Sequence, residues 1–163
     1  MVLSLAVVLG VVAVVLLVGM RDQPSEQVVR EIGYTAQLAQ TREVASYDVL
    51  APVGLGTGWK ATSARGLTAG GDVTWHLGFV TPDGHYAEVE QSDGPRAGLV
   101  NQHAEGAQIV GSERIGSSRW QRLDGGKPER RALVLRGDGV TTMVAGSATW
   151  AELIALATAL RSS

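Results

Sequence analysis

The chain of 163 residues contains no cysteine, few aromatic side chains and no run of like charges. The absence of cysteine excludes disulfides, thiol catalysis, thiolate metal sites and a lipid-modified cysteine anchor. The 14 basic and 16 acidic residues give a net charge of −2 and are scattered, so the sequence offers no basic face for nucleic acid. Only four Trp, three Tyr and one Phe are available as surfaces on which bases could stack. We therefore expect no nucleic-acid partner.

The N-terminal segment, which begins with Met1 and ends with Met20, carries no charged side chain. A helix of this length would be about 30 Å long, which matches the hydrocarbon layer of a membrane. We interpret residues 1–20 as a transmembrane helix rather than a cleaved signal peptide, because LLVGMRDQPSEQ at residues 16–27, where the apolar run ends, has no Ala-x-Ala cleavage pattern. An N-terminal anchor before a long polar segment favours a single-pass cell-membrane protein with its C-terminal domain outside the cytoplasm.

The remainder of the chain is predicted to form a tether over residues 21–34 and one extracytoplasmic α+β domain over residues 35–163. Good helix formers predict a short helix that ends before Pro52, followed by a loop. Further along, short runs broken by glycine predict a helix over residues 94–102 and strands over residues 59–64, 73–80, 86–91, 108–115, 119–123, 131–136 and 140–146. Most gaps are too short for a crossover helix, so about six or seven strands should form a mainly antiparallel sheet.

The C-terminal segment carries the clearest helix signal. Thr149 and Glu152 have the spacing of a capping box, in which each side chain binds the backbone N–H of the other residue. Five apolar residues then share one face, and the sheet is the surface available to bury it: Trp150, Leu153, Ile154, Ala157 and Leu160. We therefore predict an α+β fold with this helix on one face of the sheet, and the earlier helix as a candidate for the same face.

The stretch VTPDGHYAEVEQSD predicts a hairpin. Its Pro-Asp-Gly at residues 82–84 has the turn chemistry of a three-residue loop, in which glycine takes the left-handed conformation of a bulge. This loop pairs Phe79 with Ala87 and Leu77 with Val89, so that apolar side chains meet on the core face. A two-residue Asp-Gly loop would set both apolar residues against glutamates, and we therefore predict the three-residue loop.

The other face of this hairpin carries the candidate binding residues His76, Tyr86, Glu88 and Glu90, with His76 directly opposite Glu90. We expect a solvated sheet face on which the His–Glu pair stabilises the two strands. As a catalytic pair, His76 and Glu90 lack a nucleophile, and as a metal site they supply two ligands unless Glu88 joins them. The prediction is therefore no catalytic residue, no metal ion and no cofactor.

The two other histidines and the glycine-rich segments are expected at the surface. His85 lies beside the hairpin turn and His103 lies in the polar NQHAEG, and three histidines so placed do not have metal-ligand spacing. The segment GLGTGWK lacks the Gly-Lys-Ser/Thr of a phosphate loop, so we interpret it as a connection. The RGD sequence at residues 136–138 is expected to overlap a hairpin loop over residues 137–139.

Five segments, taken in order, carry a resemblance to a known family: MVLSLAVVL, VLAPVGLGTGWKATSAR, GFVTPDGHYAEVEQSD, SSRWQRLDG and GSATWAELIALATAL. Together they extend over nearly the whole chain. The chain resembles an uncharacterised family of membrane-anchored actinobacterial proteins known as domain of unknown function 4245. The resemblance implies a single N-terminal helix and an extracytoplasmic α+β domain without an assigned activity, and it supplies no catalytic residues.

The primary hypothesis is a non-enzymatic, membrane-anchored binding module of the bacterial cell envelope. Its expected partners are the membrane, through residues 1–20, and an envelope protein or a small molecule. One alternative is a sensor that encloses its ligand in an apolar cavity beneath the sheet. Another is an envelope hydrolase centred on His76 and Glu90, with Glu88 or Tyr86 assisting.

Overall fold

The computed structural model describes residues 30–126 and 129–162. Within these residues, no helix has the length and apolar character needed to cross a membrane. The expected anchor at residues 1–20 and most of the expected tether lie outside the described residues. The elements, in chain order, are α1 Thr35–Val44, β1 Ala51–Pro52, β2 Lys60–Ala69, β3 Asp72–Val80, β4 Tyr86–Ser92, α2 Arg96–His103, β5 Gln108–Ile115, β6 Ser118–Gly126, β7 Arg130–Arg136, β8 Thr141–Gly146, α3 Trp150–Ala159 and β9 Leu160–Arg161.

Seven strands form one antiparallel sheet in the order β2-β3-β4-β8-β7-β6-β5. Two hairpin-connected runs, β2 to β4 and β5 to β8, meet where β4 pairs with β8, and α2 connects them. The predicted α+β fold with a mainly antiparallel sheet is confirmed. The short pair of β1 with β9 escaped prediction because each strand has only two residues.

One face of the sheet is covered by α1 and α3. Helix α3 packs on β7 and β8, and α1 packs on β2 and β3. A single apolar core fills this layer, and its fully buried members include Trp75, Leu77, Leu133, Leu153 and Leu156. The predicted packing of the C-terminal helix on one face is confirmed, and α1 shares that face.

The capping box of α3 is also confirmed. Thr149 Oγ1 accepts a hydrogen bond from Glu152 N at 3.3 Å, and Glu152 Oε2 accepts one from Thr149 N at 2.8 Å. The buried stripe is shifted from the predicted one, because Trp150 is only partly buried and lies beneath a guanidinium. That group belongs to Arg122 and lies 4.0 Å from the ring centre. Leu156, which the predicted stripe omitted, is fully buried instead.

Helix α1 ends at Val44, before Pro52 as the prediction required. The segment that follows is held by the buried side chain of Gln91 on β4. Gln91 Oε1 accepts a hydrogen bond from Leu50 N at 2.7 Å, and Gln91 Nε2 donates one to Asp48 O at 3.3 Å. These long-range hydrogen bonds hold residues 48–50 against the sheet and leave no local signal in the sequence of the helix.

The second face of the sheet is covered by α2, contrary to the expected solvated face. Helix α2 packs on β4 and β8, and its buried residues are Leu99 and His103. Leu99 belongs to a second apolar core whose other buried members are Ala104, Leu123, Ala132, Val134, Met143 and Ala145. The sheet therefore lies between two layers of helix.

Candidate functional site

The hairpin between β3 and β4 has the predicted loop and register. His76 pairs with Glu90 and Gly78 pairs with Glu88. Gly84 has a φ of 81°, which is the left-handed conformation expected at the end of the three-residue loop. This register places His76, Glu88 and Glu90 on one face of the sheet.

The expectation that this face is solvated is wrong. The exposed fractions are 4% for His76, 3% for Glu88 and 1% for Glu90, and Tyr86 is partly buried. His103, expected in an exposed loop, is the last residue of α2 and is 9% exposed. Polar and apolar residues alternate along a strand in the same way whether water or a helix lies on its polar face. The sequence pattern therefore did not show that α2 covers this face. We call His76, Glu88, Glu90 and His103 the His–Glu cluster.

A signal for the burial of His103 was present within α2. Leu99 and His103 are four residues apart, so they lie on the same side of a helix. The period that turns Leu99 towards the sheet therefore turns His103 towards it as well. Extending the predicted helix by one residue would have moved His103 from a loop to this buried face.

One half of the His–Glu cluster links His103 on α2 and Arg130 at the start of β7 to Glu88 on β4. His103 Nδ1 lies 2.9 Å from Glu88 Oε1 and 3.5 Å from Glu90 Oε1. Arg130 donates a hydrogen bond to the same Glu88 oxygen, and the Tyr86 hydroxyl donates one to Glu88 Oε2 at 2.9 Å. Both oxygens of the buried Glu88 carboxylate are thus satisfied, which removes the main cost of burying it.

The other half of the cluster extends towards the edge strand β2. His76 Nδ1 is hydrogen bonded to Glu90 Oε1, and His76 Nε2 lies 2.7 Å from Ser63 Oγ. Ser63 was not among the expected site residues. A bulge between Ala61 and Ser63 places Ser63 opposite Gly78, on the face that carries His76. Regular pairing would have turned Ser63 to the apolar face, so the strand pattern alone could not locate it.

The hydrogen bonds and charges around Glu88 and His103 favour the charged form of each side chain. Burial raises the pKa of Glu88, but the hydrogen bond with His103 and the charge of Arg130 outweigh burial and hold this pKa below its ordinary value. Burial lowers the pKa of His103, but the hydrogen bond with Glu88 and the charge of Glu90 raise it above its ordinary value overall. The two shifts favour the ionised form of Glu88 and the protonated form of His103 together. We therefore expect His103 to be the protonated partner of the Glu88 carboxylate.

The cluster also contains the donor types of a metal site. One donor atom each from His76, Glu88 and Glu90 lies within 4.8 Å of the others, and imidazole and carboxylate are both zinc ligands. These donors, however, are hydrogen bonded to one another or to His103, and Arg130 already places a positive charge at Glu88. A divalent cation would meet that like charge, so the arrangement favours a hydrogen-bonded charge network.

A second polar group lies at the hairpin loop. His85 Nδ1 lies 3.0 Å from Glu152 Oε2, and Asp83 is near both. Burial raises the pKa of Glu152, but hydrogen bonds from Thr81 and Thr149 lower it to about 2. The His85 side chain is 41% exposed, in agreement with its expected position beside the turn. This group fastens the hairpin to α3 and has no part in the His–Glu cluster.

An open groove of about 580 Å³ lies between α2 and the edge strand β5. Its apolar lining includes Val100, Ile109 and Leu123, and Ile109 is 61% exposed. Arg96 and Arg136 also line it, and no Asp or Glu does among the described residues. We call this surface the α2–β5 groove.

Among the described residues, the two arginines that line the groove have guanidinium N–H groups without an acceptor. Within the part of the chain that the structure describes, the Arg136 side chain makes no hydrogen bond or ion pair. Arg96 donates one guanidinium hydrogen bond to Gln121, and its Nε is buried without a partner among the described residues. Guanidinium groups bind carboxylates and phosphates through paired hydrogen bonds, so the groove suits an anion beside an apolar group.

These features define a class of protein: an α+β domain with a seven-stranded antiparallel sheet covered by helices on both faces, and a buried His–Glu cluster beneath the middle helix. The chain belongs to the family of proteins of unknown function DUF4245, whose model matches residues 1–160. The resemblance in the sequence motifs is thereby confirmed at the level of the family. No match was found among curated proteins.

Proposed function

We propose that the chain is a membrane-anchored, extracytoplasmic binding module of the bacterial cell envelope. Residues 1–20 form the anchor in this proposal, because they are apolar and long enough to span a bilayer. The observation that carries the binding role is the α2–β5 groove, where two arginines stand beside exposed apolar side chains without an acidic residue among the described ones. The partner is an anionic ligand with an apolar portion.

The geometry of β5 favours an extended protein segment as this partner. Among the described residues, strand β5 is the last strand of the sheet and pairs only with β6, so its other backbone edge has no strand partner there and can accept another strand. Ile109 and Val110, both exposed, lie on this edge strand. We therefore propose an acidic, extended segment of an envelope protein as the occupant, held by main-chain hydrogen bonds and by Arg96 and Arg136.

The alternative of a sensor with an apolar cavity has less support. The cavity was expected between the sheet and the C-terminal helix. In that layer the side chains of Trp75, Leu77, Leu133 and Leu156 are fully buried and pack in one core. A ligand there would have to displace them, whereas the α2–β5 groove is already open.

The binding role is tested by retention of envelope proteins on the purified chain. We compare the unmodified chain with Arg136→Gln and with Arg119→Gln, an exposed arginine that does not line the groove. Arg136→Gln should lower retention of the partner about tenfold, as expected for one lost charge-assisted hydrogen-bonded pair. Arg119→Gln should leave it unchanged, and equal losses in the two variants would contradict a role for the groove.

The proposed location is tested with one introduced thiol. Because the chain contains no cysteine, Ser117→Cys in the exposed turn between β5 and β6 gives a single labelling position. A membrane-impermeant maleimide should label this variant in intact cells. Labelling that requires cell lysis would place the domain in the cytoplasm and refute the proposed orientation.

One specific observation favours the hydrolase alternative. No nucleophile was expected beside His76 and Glu90, but Ser63 Oγ lies within hydrogen-bond distance of His76 Nε2. This contact makes a second, catalytic role a candidate at a part of the surface separate from the α2–β5 groove.

A further inference from the structure

We propose that Ser63, His76 and Glu90 form a nucleophilic triad in which Ser63 accepts an acyl group from an ester. This activity goes beyond the proposed binding function and does not depend on the α2–β5 groove. In the assignment, Ser63 is the nucleophile, His76 is the general base and Glu90 is the residue that positions the imidazole.

The geometry meets the two requirements of such a triad. The nucleophile must be hydrogen bonded to the base, and the base must be oriented by a third group on its other nitrogen. Ser63 Oγ lies 2.7 Å from His76 Nε2, and His76 Nδ1 is hydrogen bonded to Glu90 Oε1. With Nδ1 donating to the carboxylate, Nε2 is left to accept the hydroxyl proton.

Solvent exposure increases along the triad from Glu90 to Ser63, as expected when substrate approaches the nucleophile from solvent. Glu90 is 1% exposed and His76 is 4% exposed, whereas Ser63 is partly exposed on the edge strand β2. The buried carboxylate stabilises the imidazolium strongly because water does not screen it. Ser63 therefore stands at the end of the triad nearest the sheet edge, from which an ester would approach.

The bulge in β2 is the device that creates the contact. It shifts the pairing between Ala61 and Ser63, so that Ser63 lies opposite Gly78 rather than on the apolar face. Bulges are frequent beside active sites, where they redirect a side chain. Without the extra residue Thr62, the serine hydroxyl would be turned away from His76.

Gly78 and Tyr86 complete the surroundings of the hydroxyl. A Cβ on Gly78 would collide with Ser63 Oγ and with the Tyr86 hydroxyl, so the missing side chain lets both hydroxyls stand over the same residue. Burial and the charge of Glu88 raise the pKa of Tyr86, so its phenol stays protonated and able to donate. The phenol proton is donated to Glu88 Oε2, so Tyr86 is held in place by that carboxylate and bounds the space around the Ser63 hydroxyl.

The proposed step is an ordinary acyl transfer. A bond forms between Ser63 Oγ and the carbonyl carbon of the ester, while the hydroxyl proton passes to His76 Nε2. The bond to the alcohol then breaks, and the leaving alkoxide takes the proton from His76. Water repeats the sequence on the acylated serine and releases the carboxylic acid. Because His103 of α2 lies 3.5 Å from Glu90 at the inner end of the triad, the acyl group approaches from the β2 side.

The first test uses diisopropyl fluorophosphate on the intact chain, with mass spectrometry to locate the adduct. The Ser63 oxygen should bond to phosphorus as fluoride leaves, giving one modified residue. Ser63→Ala should abolish the adduct, and Ser118→Ala should retain it, because Ser118 lies on β6 without a hydrogen-bonded histidine. Ser63→Ala leaves the His76–Glu90 pair in place, so its circular dichroism should match that of the unmodified chain.

The second test measures whether His76 acts as a base, which a purely structural hydrogen bond does not require. In this cysteine-free chain, Ser63→Cys and Ser117→Cys each provide one thiol for iodoacetamide. At pH 6 the Ser63→Cys thiol should react at least about tenfold faster than the Ser117→Cys thiol. A neighbouring imidazole lowers the pKa of a thiol from about 8.5 and so increases the fraction of reactive thiolate. Equal pH profiles, together with no fluorophosphate adduct on Ser63, would show that the hydroxyl only completes the buried network and would overturn the proposal.

The variants Arg136→Gln and Ser63→Ala distinguish the binding function from the acyl-transfer activity. Arg136→Gln should change the labelling rate of Ser63 by less than about twofold, because distant sites without shared partners act independently. Ser63→Ala should likewise retain the envelope partner. Loss of Ser63 labelling in Arg136→Gln would overturn the assignment of the triad to a separate site.

Discussion

Glu88 is the residue on which the buried polar contacts converge, since His103, Arg130 and Tyr86 all bind its carboxylate. A buried charge that loses a partner is destabilised by far more than the pair contributes when intact. The partners of Glu88 therefore matter chiefly because removing one leaves an unsatisfied carboxylate beneath α2.

The neighbouring arginines Arg130 and Arg131 provide a matched comparison. Arg130→Gln should lower the free energy of unfolding by about 2 kcal/mol, because it leaves the Glu88 carboxylate under-satisfied. Arg131 lies 3.7 Å from Asp124 and both side chains are partly exposed, so Arg131→Gln should cost less than about 0.5 kcal/mol. Urea unfolding at neutral pH measures both, and equal costs would contradict the buried role of Glu88.

His103 should make stability depend on pH as the pH rises above about 6.5. Its folded pKa is raised above the unfolded value of about 6.5, so the protonated form is favoured by folding. This contribution is fully present below about pH 6.5 and is lost as the pH rises through the folded pKa. The free energy of unfolding, measured in urea at a series of pH values, should therefore decline on the alkaline side.

Two substitutions identify which histidine causes this decline in stability. His103→Gln should flatten it, whereas His85→Gln, at a half-exposed position, should retain it. Glu88 acts on the acid side with the opposite sign, because its folded pKa is lowered and its contribution disappears as the pH falls through that value. An alkaline decline that persists unchanged in His103→Gln would contradict the assignment of the proton.

At the scale of elements, the hairpin of β3 and β4 could be predicted in detail because turn chemistry and burial agreed. Residues 82–84 allowed a three-residue loop, and the pairing of Leu77 with Val89 selected its register. Helix α2 could be located but its orientation could not. Only Leu99 and His103 are buried on it, which gives too weak a stripe to show that it covers a polar face.

The capping box of α3 gives a prediction at this scale. Thr149→Ala should lower the free energy of unfolding by about 1 kcal/mol, because the backbone N–H of Glu152 loses its acceptor. Thr158→Ala is the control: its hydroxyl is exposed and binds only Ile154 O within the helix, so the change should stay below about 0.5 kcal/mol. Thermal unfolding compares them, and a larger loss for Thr158→Ala would contradict the assigned cap.

At the scale of the molecule, the sequence revealed strands but not the two covered faces of the sheet. Alternation identifies which residues share a face, and it is silent on whether a distant helix packs there. Ser63 shows the same limit, because a bulge reversed its side without any local signal. The polar residues of the cluster were therefore found, while their burial and their hydroxyl partner were not.

The strand order separates the two surfaces to which we assign activity. Strand β2, which carries Ser63, is at one edge of the sheet, and β5, which lines the α2–β5 groove, is at the other. The five strands between them and the His–Glu cluster form a stable support for both. Binding at the β5 edge can therefore be lost without altering the β2 edge.

The most direct test of the binding role uses a photoreactive amino acid in intact cells, placed at Ile109 in one variant and at Val44 in another. Both positions are 61% exposed, but only Ile109 lines the α2–β5 groove. We predict a discrete crosslinked envelope protein from position 109 that is absent from position 44 and weakened by Arg136→Gln. The same crosslinks from both positions, or none from position 109, would contradict a binding module that acts through this groove.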